Sequence, residues 1–190
     1  MSTISVLLAT LVAIGLPQSG GGNLLVNGDA RRGAEAWTPH GLATIEQVAG
    51  IPCFTVRSGG SFWQDVALPG AAAGQYAALS GRGQSERINA DGAITGLPYL
   101  YATVATADRH RFVAYWQGQS MLGRPERPGD WVPMWGIFKI ADEARYVYVQ
   151  LNQAERRGVP QDGSAAHFAD VHLHLFPTEA AARAFVEQYR

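Results

Sequence analysis

The sequence predicts an all-β fold, a jelly-roll β-sandwich with a short C-terminal helix. Most of the chain consists of short segments in which apolar and polar residues alternate, as they do in half-buried strands. Turn-forming Gly, Pro, Asn and Asp residues separate these segments. Two end motifs, NLLVNGDARRGAEAW at 23–37 and GSAAHFADVHLHLF at 163–176, predict a first and a last strand that lie side by side. Such a closed sandwich would leave no sheet edge exposed.

The composition is that of one globular domain with enough apolar residues to form a hydrophobic core. Of the 190 residues, 47% are hydrophobic and 16% are charged, and all-β sandwiches of this length commonly form one domain. The formal net charge is −1, which argues against nucleic acid or an anionic membrane as the main partner, because both attract dense basic patches. Cys53 is the single cysteine, so the chain forms no internal disulfide and no cysteine-based zinc site.

Residues 4–16, ISVLLATLVAIGL, are apolar without interruption. This run is too short to span a membrane comfortably, but it matches the apolar centre of a signal peptide. We therefore predict that residues 1–22 are a signal peptide with a Gly-rich lead-in, and that the mature protein is secreted or periplasmic and does not insert into a membrane. No Lys or Arg precedes the run, so an N-terminal strand or a short core helix remains the alternative.

Alternation with a period of two predicts nine strands in the domain at residues 23–177. They are Ala43–Val48, Cys53–Arg57, Ser61–Leu68, Gln75–Ser80, Tyr99–Ala105, Arg111–Gln117, Gly136–Ile140, Arg145–Leu151 and His167–Phe176. Residues 178–190 predict a helix rather than a strand. Thr178 can cap this helix, and Phe185, Val186 and Tyr189 lie on one of its faces. We expect this helix to pack on the sandwich.

Three motifs carry a resemblance to a known group of proteins: NLLVNGD followed by a Trp, FWQDVAL, and AAHFADVHLHL. In this order they resemble the galactose-binding-like β-sandwich superfamily over about residues 23–176. That group includes carbohydrate-binding modules of secreted bacterial proteins and the sugar-binding F-box-associated domains. The resemblance implies non-catalytic binding of a carbohydrate or glycoconjugate, on a concave sheet face or on loops at one end. It also implies, in many relatives, a structural calcium ion between the first and last strands.

The calcium ligands are incomplete in this sequence. Where relatives have a Phe-Glu pair after Asn-Gly-Asp, this chain reads Ala30-Arg31-Arg32, whereas the second acid is present as Asp170. An Arg brings its own positive charge, so we predict no cofactor and expect Arg31 or Arg32 to pair with Asp170 in place of the metal. In the alternative, both arginines are solvated and Asp170 caps a turn.

Aromatic and polar side chains share one face of several predicted strands. Such a mixture suits sugars, because rings cover their apolar faces while amides and guanidinium groups bond their hydroxyls. Trp63 and Asp65, for example, share one face of their predicted strand. Ordinary amphipathic strand surface is the competing interpretation. The candidate ligand-binding residues are Tyr99, Tyr101, Arg111, Tyr115, Gln117, Tyr146, Tyr148, Gln150 and Asn152, with Trp131 from the loop-like stretch 118–135 as a rival site.

Catalysis is the minority interpretation. The sequence contains no Gly-x-Ser-x-Gly, His-Glu-x-x-His or phosphate-loop motif. His172 and His174 share a strand face with Asp170, but side chains about 7 Å apart on one strand are too widely spaced for a shared zinc ion. His40, His110 and His167 are expected to be solvated. Two alternatives to sugar binding stay open. One is a structural or protein-interaction domain that buries the tyrosine-rich strand face, here called the Tyr face, against a partner. The other is a small glycan hydrolase that uses Glu126 or Asp130.

Overall fold

The predicted sandwich is present in a computed structural model, which describes residues 22–88, 94–108, 112–116, 123–154 and 164–189. The described elements are β1 Thr38–His40, β2 Ala43–Val48, β3 Ile51–Arg57, β4 Ser61–Ala67, β5 Tyr76–Ser85, β6 Arg87–Ile88, β7 Ile94–Thr95, β8 Leu97–Ala105, β9 Phe112–Trp116, β10 Val132–Lys139, β11 Tyr146–Ala154, β12 Ala165–Phe176 and the helix α1 Glu179–Val186. A 3-10 turn, Glu187–Tyr189, follows α1. The nine predicted strands and the helix all correspond to observed elements, and β1, β6 and β7 are additional.

Two five-stranded antiparallel sheets form the sandwich. Sheet A has the strand order β1-β4-β11-β8-β9, and sheet B has the order β10-β5-β12-β3-β2. The short strands β6 and β7 form a separate ribbon. Neighbouring strands in each sheet are mostly distant in sequence, as jelly-roll connections require. The fold class predicted from the sequence is confirmed.

The core lies between the two sheets and comes from the alternate residues of each strand. In β4 the burial pattern alternates strictly, with Phe62 and Val66 buried. Phe54 of β3 meets Phe62 edge-on across the sandwich, with ring centroids 5.1 Å apart, and Trp37 packs on Phe54 at 4.8 Å. These rings join the inner faces of sheets A and B, and this burial of apolar surface is the main stabilising contribution.

The predicted first strand and the closed edges are wrong. Residues 23–37 form turns and bends rather than a strand. They do lie along β12, because Leu24 donates its backbone N–H to Leu173 O and Val171 donates to Gly28 O. β12 is nevertheless the middle strand of sheet B, so the contact between chain ends does not close the sandwich. In the described chain, β10 and β2 are outermost in sheet B, and β1 and β9 in sheet A.

The C-terminal helix covers the outer face of sheet B. Thr178 caps α1 by accepting a hydrogen bond from the Ala181 backbone N–H at 3.2 Å. The helix packs on β5, β10 and β12, where Ala182 and Val186 form a small second core with Ala78 and Phe176. Consequently α1 covers the part of the outer face of sheet B that β5, β10 and β12 form, whereas sheet A turns the candidate sugar platform outward.

Candidate functional site

The four strands that carry the candidate platform belong to one sheet. In sheet A, β11 lies between β4 and β8, and β9 pairs with the far side of β8. Residues paired across antiparallel strands point to the same side of a sheet. We call the side opposite to the core the outer face of sheet A. It contains Trp63 and Asp65 of β4, Tyr99, Tyr101 and the buried Thr103 of β8, and Tyr146, Tyr148, Gln150 and Asn152 of β11.

The strand register arranges these residues in rows that run across the strands. The central row consists of Thr38, Trp63, Gln150 and Tyr101. On one side of it lies the row Ser61, Asn152 and Tyr99, and on the other the row Asp65, Tyr148 and Thr103. Strands are spaced about 4.8 Å apart, so Trp63 and Tyr101 are separated by about 10 Å with Gln150 between them.

The central row is accessible from solvent. Trp63 is 42% exposed, although its neighbours Phe62 and Gln64 are buried. Tyr99 and Tyr101 are half-buried, their ring centroids lie 6.0 Å apart, and both also pack against core residues. Burial raises the pKa of the Tyr99 hydroxyl above its ordinary value, so this group stays a neutral donor and acceptor at physiological pH.

Two amide side chains of the outer face are available to a ligand. Within the described part of the chain, the side-chain amides of Gln150 and Asn152 make no hydrogen bond. By contrast, the buried Gln64 on the inner side of β4 bonds the backbone of Val26 through both its oxygen, at 2.8 Å, and its nitrogen, at 2.9 Å. The outward amides therefore offer donors and acceptors to a ligand.

An open pocket lies at one end of the outer face. It has a volume of about 550 Å³ and is lined by the turn and strand start 59–61, by Tyr99, and by the end of β11 at 152–154. Gln153 is fixed in its wall, because its Nε2 donates to Ser164 O at 2.9 Å and lies 3.1 Å from Ser164 Oγ. The pocket thus adjoins the row that contains Ser61, Asn152 and Tyr99.

Three candidate residues cannot be placed fully, and one lies elsewhere. Arg111 and Gln117 fall outside the described residues, and for Tyr115 only the strand pairing is described. Trp131 precedes β10 of sheet B, and the Arg82 guanidinium lies 5.4 Å from its ring centroid. The structure therefore separates Trp131 from the platform on sheet A. Thr38 and Ser61 join the platform, and no sequence pattern identified them, because only the register of β1 and β4 places them there.

The predicted pairing of Asp170 with Arg31 or Arg32 is wrong. Arg31 is exposed and pairs with Asp29 at 3.3 Å, and Arg32 pairs with Glu35 at 2.9 Å. Arg82 of β5 instead donates two hydrogen bonds to one oxygen of Asp170, at 2.8 and 2.5 Å. A register shift in β12 between Ala169 and His172, with φ +51° at Asp170, turns this carboxylate toward β5.

The residues around Asp170 do not fit a calcium ion. Calcium requires several oxygen ligands with carboxylates among them, whereas Asp170 faces a guanidinium and Ala30-Arg31 supplies no carboxylate. Among the described residues, no group of three or more His, Cys, Asp or Glu side chains is arranged to hold a metal. Arg82, rather than the predicted Arg31, supplies the positive charge at this position.

His167 is buried rather than solvated, which corrects the sequence-based expectation. Its Nδ1 lies 2.8 Å from Thr55 Oγ1, and its Nε2 lies 2.8 Å from Glu86 Oε1. Because a carboxylate only accepts, Nε2–H donates to Glu86, while Nδ1 shares a hydrogen bond with the Thr55 hydroxyl. Thr55, Cys53 and His167 are all fully buried, and burial raises the pKa of the Cys53 thiol. The hydroxyl and the imidazole of this hydrogen-bonded chain are buried, whereas the Glu86 carboxylate reaches the surface, and the chain links β3 and β12 to the residue that follows β5.

The outer histidines of β12 lie under the C-terminal segment. The rings of His172 and His174 are stacked with centroids 6.0 Å apart. Phe185 covers His174 at 4.6 Å, and Tyr189 lies 6.1 Å from His172. These imidazoles pack against aromatic rings rather than forming a zinc site. In the part of the chain that the structure describes, no helix has the length and apolar character to cross a membrane.

Comparison with known proteins supports the fold. No protein-family model and no curated protein matches the chain, but solved structures do. The chain is similar to the enzymatically active domain of tailspike protein 4 from bacteriophage CBA120 (13% identity, TM-score 0.56), covering 81% of this chain and 21% of that one. It is equally similar to the N-terminal tandem CBM22 domain of Xyn10C from Paenibacillus barcinonensis (12% identity, TM-score 0.56; 78% and 49% covered).

A third solved structure matches over nearly its whole length. A protein of Bacteroides thetaiotaomicron with a proposed sugar-binding role shares 11% identity at a TM-score of 0.51, with 80% of this chain and 99% of that chain covered. This chain spans only about a fifth and about half of the first two proteins. These identities establish the fold alone: the chain has the two-sheet β-sandwich fold that it shares with these solved structures.

Proposed function

We propose that this protein is a non-catalytic carbohydrate-binding module that holds glycan on the outer face of sheet A. The observation that carries the proposal is the central row, in which Gln150 lies between two aromatic residues, Trp63 and Tyr101. Aromatic rings bind the apolar faces of sugars, and an amide between them reaches the ring hydroxyls. The Tyr face predicted from the sequence contributes Tyr99, Tyr101, Tyr146, Tyr148 and Asn152 to the same platform.

Recognition without turnover fits the chemistry of this face. Asp65 is the one carboxylate among the described outward positions of β4, β8 and β11, and glycoside hydrolysis ordinarily uses a pair. Glu126 and Asp130 lie exposed in the segment before β10, which joins sheet B rather than the platform. We further propose that the protein is exported, because polymeric glycans lie outside the cell and residues 4–16 resemble a signal peptide.

Affinity electrophoresis against a broad panel of polysaccharides, followed by calorimetry with the strongest binder, tests the proposal. Trp63→Ala and Tyr101→Ala are expected to weaken binding at least about tenfold each, because each removes a ring that stacks on the ligand. Trp131→Ala is the matched control: it removes a comparable ring from the segment before β10, away from sheet A, and binding should persist. Thermal unfolding of each variant establishes that the fold is retained.

Two results would overturn the proposal. One is the absence of binding across the panel together with self-association that Trp63→Ala abolishes, which would make the outer face a protein interface. The other is glycan binding that Trp131→Ala removes while Trp63→Ala leaves it intact, which would place the site on the segment before β10.

A further inference from the structure

The pocket at the end of the outer face lies beside the central row, not on it. Ser61, Asn152 and Tyr99 are each two residues along their strands from the corresponding members of the central row. Two residues of a strand extend about 7 Å, which is roughly the width of one sugar ring. A glycan backbone that follows the central row therefore passes the pocket mouth at the distance of one attached sugar.

The pocket is built to be open and neutral. Its wall at Gly59 and Gly60 carries no side chains, and Gly60 has no room for one, since a Cβ there would lie 2.5 Å from Leu42 O. None of the described residues that line it is charged. These described residues therefore offer no counter-charge to a uronic acid or a sulfated sugar.

The polar groups of the pocket are held in position. Gln153 is fixed by its hydrogen bonds to Ser164, and the backbone of Gly96 approaches so closely that a Cβ would lie 2.7 Å from the Gln153 nitrogen. Asn152, next to it, makes no hydrogen bond within the described chain. A rigid wall beside an unpaired amide reduces the entropy that a bound sugar must offset.

From these observations we infer that the pocket receives a neutral branch sugar of a polysaccharide whose backbone lies across Trp63, Gln150 and Tyr101. The inference rests on the proposed function and names its ligand class, a branched neutral glycan. A linear chain running along the central row would leave the pocket empty, because the row runs across the strands and the pocket is displaced along them.

Calorimetry with matched pairs of oligosaccharides tests the inference. Each pair shares a backbone and differs in branching: cellohexaose with a xyloglucan oligosaccharide, mannohexaose with a galactosylated mannan oligosaccharide, and xylohexaose with an arabinosylated one. The branched member of the pair that matches the backbone preference should bind about tenfold more tightly, the gain expected from one or two additional hydrogen bonds.

Two variants locate the effect. Ser61→Phe fills the pocket and should equalise the affinities for branched and linear ligands. Ala67→Phe is the matched control, because Ala67 lies on the same face at the opposite end of β4 and should leave the preference for the branched ligand intact. A strand surface tolerates Phe well, and thermal unfolding checks both variants.

The outcomes separate the two proposals. Equal affinity of the wild-type protein for branched and linear ligands, with both reduced by Trp63→Ala, overturns the branch pocket and leaves carbohydrate binding standing. A preference for branched ligands that Ser61→Phe does not alter also overturns the pocket. Failure of every linear and branched ligand to bind, or binding that is indifferent to Trp63→Ala, overturns the proposed function itself.

Discussion

Arg82 and Asp170 form an ion pair that joins β5 to β12 at the register shift between Ala169 and His172. Both guanidinium hydrogen bonds end on the same carboxylate oxygen, and the guanidinium also lies over the Trp131 ring. Asp170 is followed by Val171, whose backbone N–H bonds Gly28 O in the N-terminal segment. The pair therefore fixes the place where the two ends of the domain meet.

The first prediction concerns this pair. Arg82→Ala should lower the free energy of unfolding by about 1 kcal/mol, because the partners are more than one-third exposed and solvent screens their attraction. For a domain of this size, that corresponds to a fall in Tm of about 2–4 °C. Arg31→Ala, at a residue that is 77% exposed, is the control and should leave Tm unchanged. If Arg31→Ala were the more damaging variant, the pairing described here would be wrong.

The second prediction is that calcium does not stabilise the protein. A ligand that binds only the folded state raises Tm in proportion to its concentration above its Kd, but Arg82 already neutralises Asp170. Thermal unfolding in millimolar CaCl2 should match unfolding in NaCl of equal ionic strength. A saturable increase of several degrees that EDTA reverses would contradict this prediction.

The third prediction concerns the close approach of Gly28 to β12. A Cβ at this position would lie 1.9 Å from Val171 O, so Gly28→Ala must displace the backbone of the turn. We expect a loss of about 3 kcal/mol in unfolding free energy, at the upper end for overpacked sites. Gly70→Ala is the control, since a Cβ there meets nothing within 4 Å. Equal denaturant midpoints for the two variants would contradict the account of the turn.

Local patterning predicts local structure well in this chain. Alternation gives β2 its observed bounds, and it separates the outward Tyr146 and Tyr148 from the buried Val147 and Val149. A residue's face depends only on its own strand, where successive side chains point to opposite sides. Much of the platform composition could therefore be predicted without knowledge of the strand order.

Partners across strands could not be predicted in the same way. Trp63 and Tyr101 face each other across Gln150 only because β11 lies between β4 and β8, an order that no local pattern encodes. The partner of Asp170 is Arg82, 88 residues away in sequence, and the bulge that directs Asp170 toward it has no sequence signature. The burial of His167 could not be predicted for the same reason, since its partners Thr55 and Glu86 come from β3 and from the residue after β5.

The last prediction concerns pH and the neutral state of His172. The Asn23 side-chain oxygen accepts backbone N–H bonds from Leu25 at 3.1 Å and Leu173 at 2.8 Å. These bonds fix the amide orientation, so the Asn23 nitrogen, 3.2 Å from His172 Nδ1, donates to that atom. A proton on Nδ1 would break this bond.

Burial lowers the pKa of His172 below its ordinary value, although Asp170 and Asp29 act in the opposite direction. The unfolded chain, in which the pKa of His is about 6.5, then binds a proton at a higher pH than the folded protein does. Stability is therefore unaffected by His172 above that value, and it falls as the pH decreases from about 6.5 toward the folded pKa.

The His172→Gln variant should accordingly lose less stability on acidification than the wild-type protein does. We expect the Tm of the variant minus the Tm of the wild type to increase as the pH is lowered from 7.5 to 5. His40→Gln, at an exposed residue, should follow the wild-type curve. Parallel curves for wild type and His172→Gln over this range would show that Tyr189 and Asn23 do not hold this imidazole neutral.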